Sequence, residues 1–229
     1  MFPLRDDQPR FSAPFITWFL ITLNLLVFLF EVLLGPRSRV DLLFQFGIVP
    51  TQVTSNLSPQ AFNPTIAILP MFTSMFLHGS WLHLIGNMWF LWIFGDNIED
   101  YLGHFSYIVF YLTCGLAAGA MHVFFNLGSQ VPTVGASGAI AGVMGAYFIL
   151  YPRSSVLTWF PPIFFFHLPA WVILGYWFVV QFMTGTVSSI ADPRQVGGVA
   201  FWAHVGGFLA GIALFKVFPE RPRRGYATW

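Results

Sequence analysis

Six apolar windows, each close to the length a helix needs to cross a bilayer, constrain this chain more than any other feature. A spanning helix takes about 20 predominantly apolar residues. Windows near 14–34, 80–96, 104–126, 133–151, 164–184 and 197–218 meet that length between breaks of charge, Pro or Gly. They predict an all-α, polytopic membrane protein: a six-transmembrane-helix bundle over 14–218, a 1–13 segment before it and a basic 219–229 tail after it, both exposed. Composition agrees, since 8% of the 229 residues are charged and 56% apolar, against about 25% charged in a soluble domain. No small-residue cleavage site follows the first window, so it reads as a retained span rather than a signal peptide. The polar stretch from Gly35 to about Pro70 reads as an extramembrane loop or a partly embedded lid.

Charge placement gives an orientation. With six spans both termini share a side, which collects Arg5, Arg10, Arg153, Lys216, Arg221, Arg223 and Arg224, while the other side has Arg37, Arg39 and Arg194. Lys and Arg are retained on the cytoplasmic side, so both termini are expected in the cytoplasm of a cell (cytoplasmic or inner) membrane. Scattered basic residues and a net charge of +1 exclude a nucleic-acid footprint. The single cysteine, Cys114, excludes an internal disulfide framework and a multi-Cys metal site. No metal or cofactor is expected.

Polar groups inside spans are costly and mark function. His83 and Asn87 stand four residues apart on one face of the second window. Ser137 lies within Gly135-Ala136-Ser137-Gly138 in the fourth, and His204 precedes Val205-Gly206-Gly207 in the sixth. All three windows run inward from the outer side. At about 1.5 Å per residue, Ser137 and His204 fall at similar depths, roughly 6–10 Å below the outer helix ends. The small-residue pairs Gly138/Gly142 and Gly207/Gly211 let the fourth and sixth helices approach closely, and Gly115/Gly119 form a third pair on the third window. A serine and a histidine so juxtaposed suit acyl transfer: the imidazole takes the hydroxyl proton, and donors near the helix start hold the oxyanion. Asn87 and His83 could supply such donors. Asp96, Glu99 and Asp100 lie at the inner end of the second window and Asp192 in an outer loop, so a Ser-His dyad is expected rather than a triad.

With these motifs in order, the chain resembles the rhomboid intramembrane serine proteases over about residues 44–218. Gly135-Ala136-Ser137-Gly138 is similar to the GxSG nucleophile motif, and Ala203-His204 with Gly206, Gly207 and Gly211 to the histidine motif. His78 followed by His83 and Asn87 resembles HxxxxHxxxN, and Gly95 to Glu99 the GxxxE turn. The resemblance implies a rhomboid-like six-helix bundle with Ser137 as nucleophile and His204 as general base. It also implies His83 and Asn87 at the oxyanion, His78 as a supporting neighbour, and transmembrane protein substrates entering from the lipid bilayer near the fifth span. Phe164, Phe165, Phe166, Trp171, Trp177 and Phe178 are compatible with a gate there, though an ordinary lipid-facing belt is the favoured reading. Ala141 stands where some members place an aromatic ring against the histidine, and the first loop lacks a Trp-Arg pair.

Two other functions fit parts of this pattern: a transporter with a histidine relay, and a non-catalytic rhomboid-like protein that binds membrane clients. The first would show inverted repeats and the second would lack a dyad residue; neither applies to this sequence. His104, His122 and His167 have no partner legible in the sequence and read as structural or interfacial. Glu31 reads as an interfacial group ending the first span, Asn24 as an interhelical hydrogen bond, and Cys114 as a small apolar helix residue.

Overall fold

In an apolar environment every backbone N–H and C=O must find a partner inside the chain, and the helix is the local solution. The computed structural model describes residues 1–57, 60–191, 200–218 and 220–221. In chain order these form β1 (Phe2–Arg5), α1 (Phe15–Leu33), α2 (Pro36–Phe46), α3 (Pro50–Ser55), α4 (Pro64–Ala67), α5 (Leu69–Thr73), α6 (Trp81–Leu102), α7 (His104–Phe125), α8 (Ser137–Leu150), β2 (Ser155–Phe160), β3 (Phe164–Pro169), α9 (Ala170–Ala191) and α10 (Phe201–Leu214). The tail beyond 221, with Arg223 and Arg224, and the outer-loop Asp192 and Arg194 lie outside the described residues.

Of the six expected spans, three or four are recognisable by helix length and hydropathy among the described residues. Among the described residues, three helices are long and apolar enough to cross a bilayer by length and composition: α1, α7 and the Ala170–Ser189 part of α9. A fourth arises if Pro64–Phe76 and α6, bent by 79°, count as one broken span. The helices α8 and α10 have 14 residues each, about 21 Å of rise against a hydrocarbon core of about 30 Å. For α8, hydropathy joined the helix to preceding apolar chain that is not helical. Before α8, Ile48 and Thr133 pair as an isolated antiparallel bridge, and Gly135 has φ +132°, so a helix cannot begin before residue 136.

The all-α expectation also needs correction, because β1, β2 and β3 form a three-stranded antiparallel sheet in that order. Residues 164–169, read above as the start of the fifth span, are β3, paired with β2 from Ser155↔Pro169 to Phe160↔Phe164. Aromatic residues are favoured on strands as much as in lipid-facing helices, so hydropathy alone cannot separate the two. The sheet ties down the N-terminal segment, expected above to be exposed. Trp89 donates its indole N–H to the Pro3 carbonyl at 2.6 Å, Asp6 accepts the Tyr147 hydroxyl, and Asp7 accepts from Ser154 Oγ at 2.8 Å. Burial pushes the Asp6 carboxyl above its ordinary range.

The short helix α8 is central: every residue from Gly138 to Tyr147 is buried. A helix apolar all round belongs inside a bundle, and α6, α7, α9 and α10 wall it in. The core includes Leu91, Phe94, Tyr107, Tyr111, Cys114, Met144 and Phe208. Cys114 is fully buried there, as a small apolar residue would be.

Two polar residues of α1 find partners that the sequence did not show. Asn24 donates to Leu20 O of its own helix at 2.8 Å rather than across helices, a bond that four-residue spacing makes locally available. Glu31 is fully buried, and accepts the His78 backbone N–H at 3.0 Å. Its other oxygen lies 3.7 Å from Arg39 Nε, and Arg39 also donates to His78 O and Gly79 O. This clasp ties α2, through Arg39, and the His78–Gly79 turn before α6 to the end of α1.

At the opposite end α1 has no side-chain cap of its own; Pro14 occupies that position. Glu99, fully buried at the end of α6, accepts the backbone N–H groups of Ile16 and Thr17 at 2.9 and 2.8 Å and the Thr17 hydroxyl at 2.7 Å. His104, for which the sequence suggested no partner, approaches Glu99 at 2.6 Å. A carboxylate at a helix N-terminus satisfies orphan donors and the dipole together. Glu99→Ala is expected to leave those donors unpaired at about 1–3 kcal/mol each, read as a lower thermal midpoint in detergent.

Candidate active site

Ser137 is the first residue of α8, and His204 sits one turn into α10. This refines the depth reading: Ser137 opens its helix rather than lying within it. Its depth comes instead from where the non-helical 133–136 chain ends. The Ser137 hydroxyl and His204 Nε2 are 2.7 Å apart, 67 residues apart in sequence. His204 is 8% exposed, so this contact is made largely away from bulk solvent.

The helix pair approaches closely because side chains are missing along the seam. A Cβ on Gly207 would strike the Gly138 carbonyl, and one on Gly211 the Gly142 carbonyl. Gly206 faces Met121 and Gly138 faces Ala118, bringing α7 against the same pair. The third small pair packs elsewhere: Gly115 meets Met75, and Gly119 meets Ile48 and Met71.

At the other nitrogen of the imidazole, His204 Nδ1 lies 2.7 Å from Gln181 Oε1 on α9. The Trp177 ring, one turn earlier on α9, is 5.6 Å from the His204 ring at 37°. Trp177 and Phe178 therefore face the bundle, both against Phe208, whereas Trp171 is 53% exposed. Gln181 went unread in the sequence. The available signal was an amide in an apolar run, on the helix face defined by Trp177 and Phe178.

On the serine's other flank, an ideal Cβ on Gly135 would lie 2.6 Å from His83 Cε1 and 2.7 Å from Nε2. Only glycine meets both that contact and the positive φ. Its N–H donates to Ser74 O at 2.8 Å. His83 is thus against the loop that delivers Ser137. Asn87 Nδ2 lies 2.9 Å from His78 Nε2, and the His78 ring stands edge-on to His83 at 5.2 Å. His78 is fully buried, held through its backbone by Glu31 and Arg39. The structure thus links His78, His83, Asn87 and the Ser137 loop in one cluster. His122 gains a partner nearby, with Nε2 2.7 Å from Thr133 Oγ1. It joins Gly135, Ser137 and Gly138 in lining a small cavity beside the serine. His167 lies in β3 opposite Leu157, away from this cluster.

The Rhomboid domain family model matches residues 67–221, from α4 through the end of the described chain. The chain belongs to the rhomboid family. Among similar rhomboid proteins, Rhomboid protein 1, mitochondrial, of Saccharomyces cerevisiae is 29% identical over 144 residues, 61% of this chain and 38% of that protein. The mouse (Mus musculus) Presenilin-associated rhomboid-like protein, mitochondrial, is 31% identical over 189 residues, 78% of this chain and 46% of its own length. Rhomboid-like protein 11, chloroplastic, of Arabidopsis thaliana is 30% identical over 150 residues, 66% of this chain and 52% of that protein. The chain thus spans less than half of the yeast and mouse rhomboids and about half of the Arabidopsis one. These names overturn the expectation of a cell membrane with cytoplasmic termini: the similar rhomboids are mitochondrial or chloroplastic.

Proposed function

We propose that this rhomboid is an intramembrane serine endopeptidase that hydrolyses peptide bonds in or near transmembrane segments of protein substrates, in an organellar membrane. It would do so as a six-helix bundle of α1 and α6–α10, with Ser137 and His204 as its dyad. One observation carries the reading, the 2.7 Å contact between Ser137 Oγ and His204 Nε2. That distance is within the range required of a nucleophile and its base.

In the first step Ser137 Oγ attacks the scissile carbonyl carbon while its proton passes to His204 Nε2. The carbon–nitrogen bond then breaks as His204 returns that proton to the leaving amine. A water molecule attacks the resulting ester, His204 takes its proton and gives it back to Ser137, and the new carboxyl end departs. Charge on the carbonyl oxygen needs donors fixed in advance. The first backbone N–H groups of α8 have no intrahelical partner, and His83 lies beside them. An amide nitrogen carries two hydrogens, so Asn87 can hold His78 with one and offer the other. Gly135, Gly138, Gly206 and Gly207 support the close approach, and His78 supports Asn87.

Reconstitution of the protein in vesicles with a labelled transmembrane peptide tests the reading. Cleavage by the unmodified protein and none by Ser137→Ala is expected. Equal processing by Ser137→Ala would point to client binding, and an intact peptide with histidine-dependent ion flux to transport; either would contradict it.

A further inference from the structure

A neutral imidazole has one N–H and one bare nitrogen, and which is which is set by the hydrogen bond at the remote position. A base for Ser137 must keep Nε2 bare. The remote nitrogen of His204, Nδ1, lies 2.7 Å from the carbonyl oxygen of the Gln181 side chain, which can only accept. With Nδ1–H donated to Gln181, Nε2 is left to receive the Ser137 hydroxyl proton.

We infer that Gln181 is a positioning residue for the Ser137–His204 dyad, fixing the tautomer and ring orientation of the base from α9. The inference rests on the dyad reading and extends it. A second contact from the same helix works in the same direction. Trp177, four residues before Gln181 and on the same face of α9, lies against the imidazole at 5.6 Å. Ala141 on α8 offers only a methyl group, so the ring beside His204 comes from α9 instead.

This arrangement makes the base depend on where α9 sits. Among the three long apolar helices, α9 has the smallest buried share, 22% against 28% for α1 and 44% for α7. Outward displacement of α9 would withdraw the acceptor and the ring together, so His204 is fully set only with α9 seated. Buried polar side chains need partners whatever their role, so the test must separate orientation of the base from simple satisfaction of an amide.

Gln181→Met keeps the length of the side chain and removes the acceptor; Gln181→Glu keeps an acceptor. The readouts are the rate of Ser137 labelling by a fluorophosphonate, kcat and KM on a transmembrane peptide, and the thermal midpoint of detergent-solubilised protein. Gln181→Met is expected to slow labelling and lower kcat about tenfold to a hundredfold, the scale of a misplaced catalytic group. KM should stay within about twofold, as for an interaction made in the transition state. Gln181→Glu is expected to restore most of the labelling rate. Wild-type labelling with an unchanged rate in Gln181→Met would overturn the inference and leave the dyad intact. So would a loss in Gln181→Glu as deep as in Gln181→Met. Failure of both variants to fold would make Gln181 a packing residue and overturn it as well. No labelling of the wild-type protein would instead remove the dyad on which the inference stands.

Discussion

His204→Ala is expected to reduce cleavage of a transmembrane peptide by roughly 10²–10⁴-fold, the usual contribution of a positioned general base. The serine hydroxyl is a poor nucleophile while it holds its proton, and in the proposed dyad His204 Nε2, 2.7 Å away, would take it. Under the proposed function, substrate binding should change little, since an apolar segment would be held by the surrounding helices. The loss should therefore fall on kcat with KM nearly unchanged. The thermal midpoint should move much less than kcat. Steady-state kinetics in bicelles, with the midpoint measured alongside, check both parts.

Gly211→Ala is expected to be the most damaging single-methyl change in the bundle. Its Cβ would collide with the backbone carbonyl of Gly142, with that residue's C at 2.7 Å and Cα at 2.8 Å. A side chain can rotate away from such a contact, whereas two backbones can only separate. The cost should reach at least the ~1–3 kcal/mol typical of overpacking. Separation of α8 from α10 also lifts His204 from Ser137, and a displacement of about 1 Å costs on the order of 10² in rate. A lowered thermal midpoint together with slowed fluorophosphonate labelling of Ser137 is the expected pair of results. Gly86 makes the control, because a Cβ there meets nothing within 4 Å.

The juxtaposition of Ser137 with His204 was more legible in the sequence than the helix bounds were. Ser137 and His204 can be paired from the sequence because each sits beside small residues in an apolar run, where a polar group has few structural reasons to exist. The same reasoning reaches His83 and Asn87 through their four-residue spacing. It misses Gln181, whose amide stands alone in its run without a motif around it. Its role depends on a contact 23 residues away in sequence.

Helix bounds were less legible for a different reason. Hydropathy measures how apolar a segment is and not whether it is helical. Phe164, Phe165 and Phe166 are as apolar in β3 as they would be in a helix, and Thr133 to Ala136 reads as apolar while Gly135 prevents a helix there. The short α8 is surrounded by protein, so its length answers to packing rather than to bilayer thickness. Glu31 was legible as a carboxylate near the end of an apolar run, but not its partners: Arg39 and the His78 N–H, the latter 47 residues further on, close around it.

Mapping the adduct of a fluorophosphonate probe on the detergent-solubilised protein tests the central claim most directly. Labelling at Ser137, abolished by His204→Ala, is the result predicted by a hydroxyl made nucleophilic through its contact with His204. Labelling at another residue, or at Ser137 with an undiminished rate in His204→Ala, would contradict it.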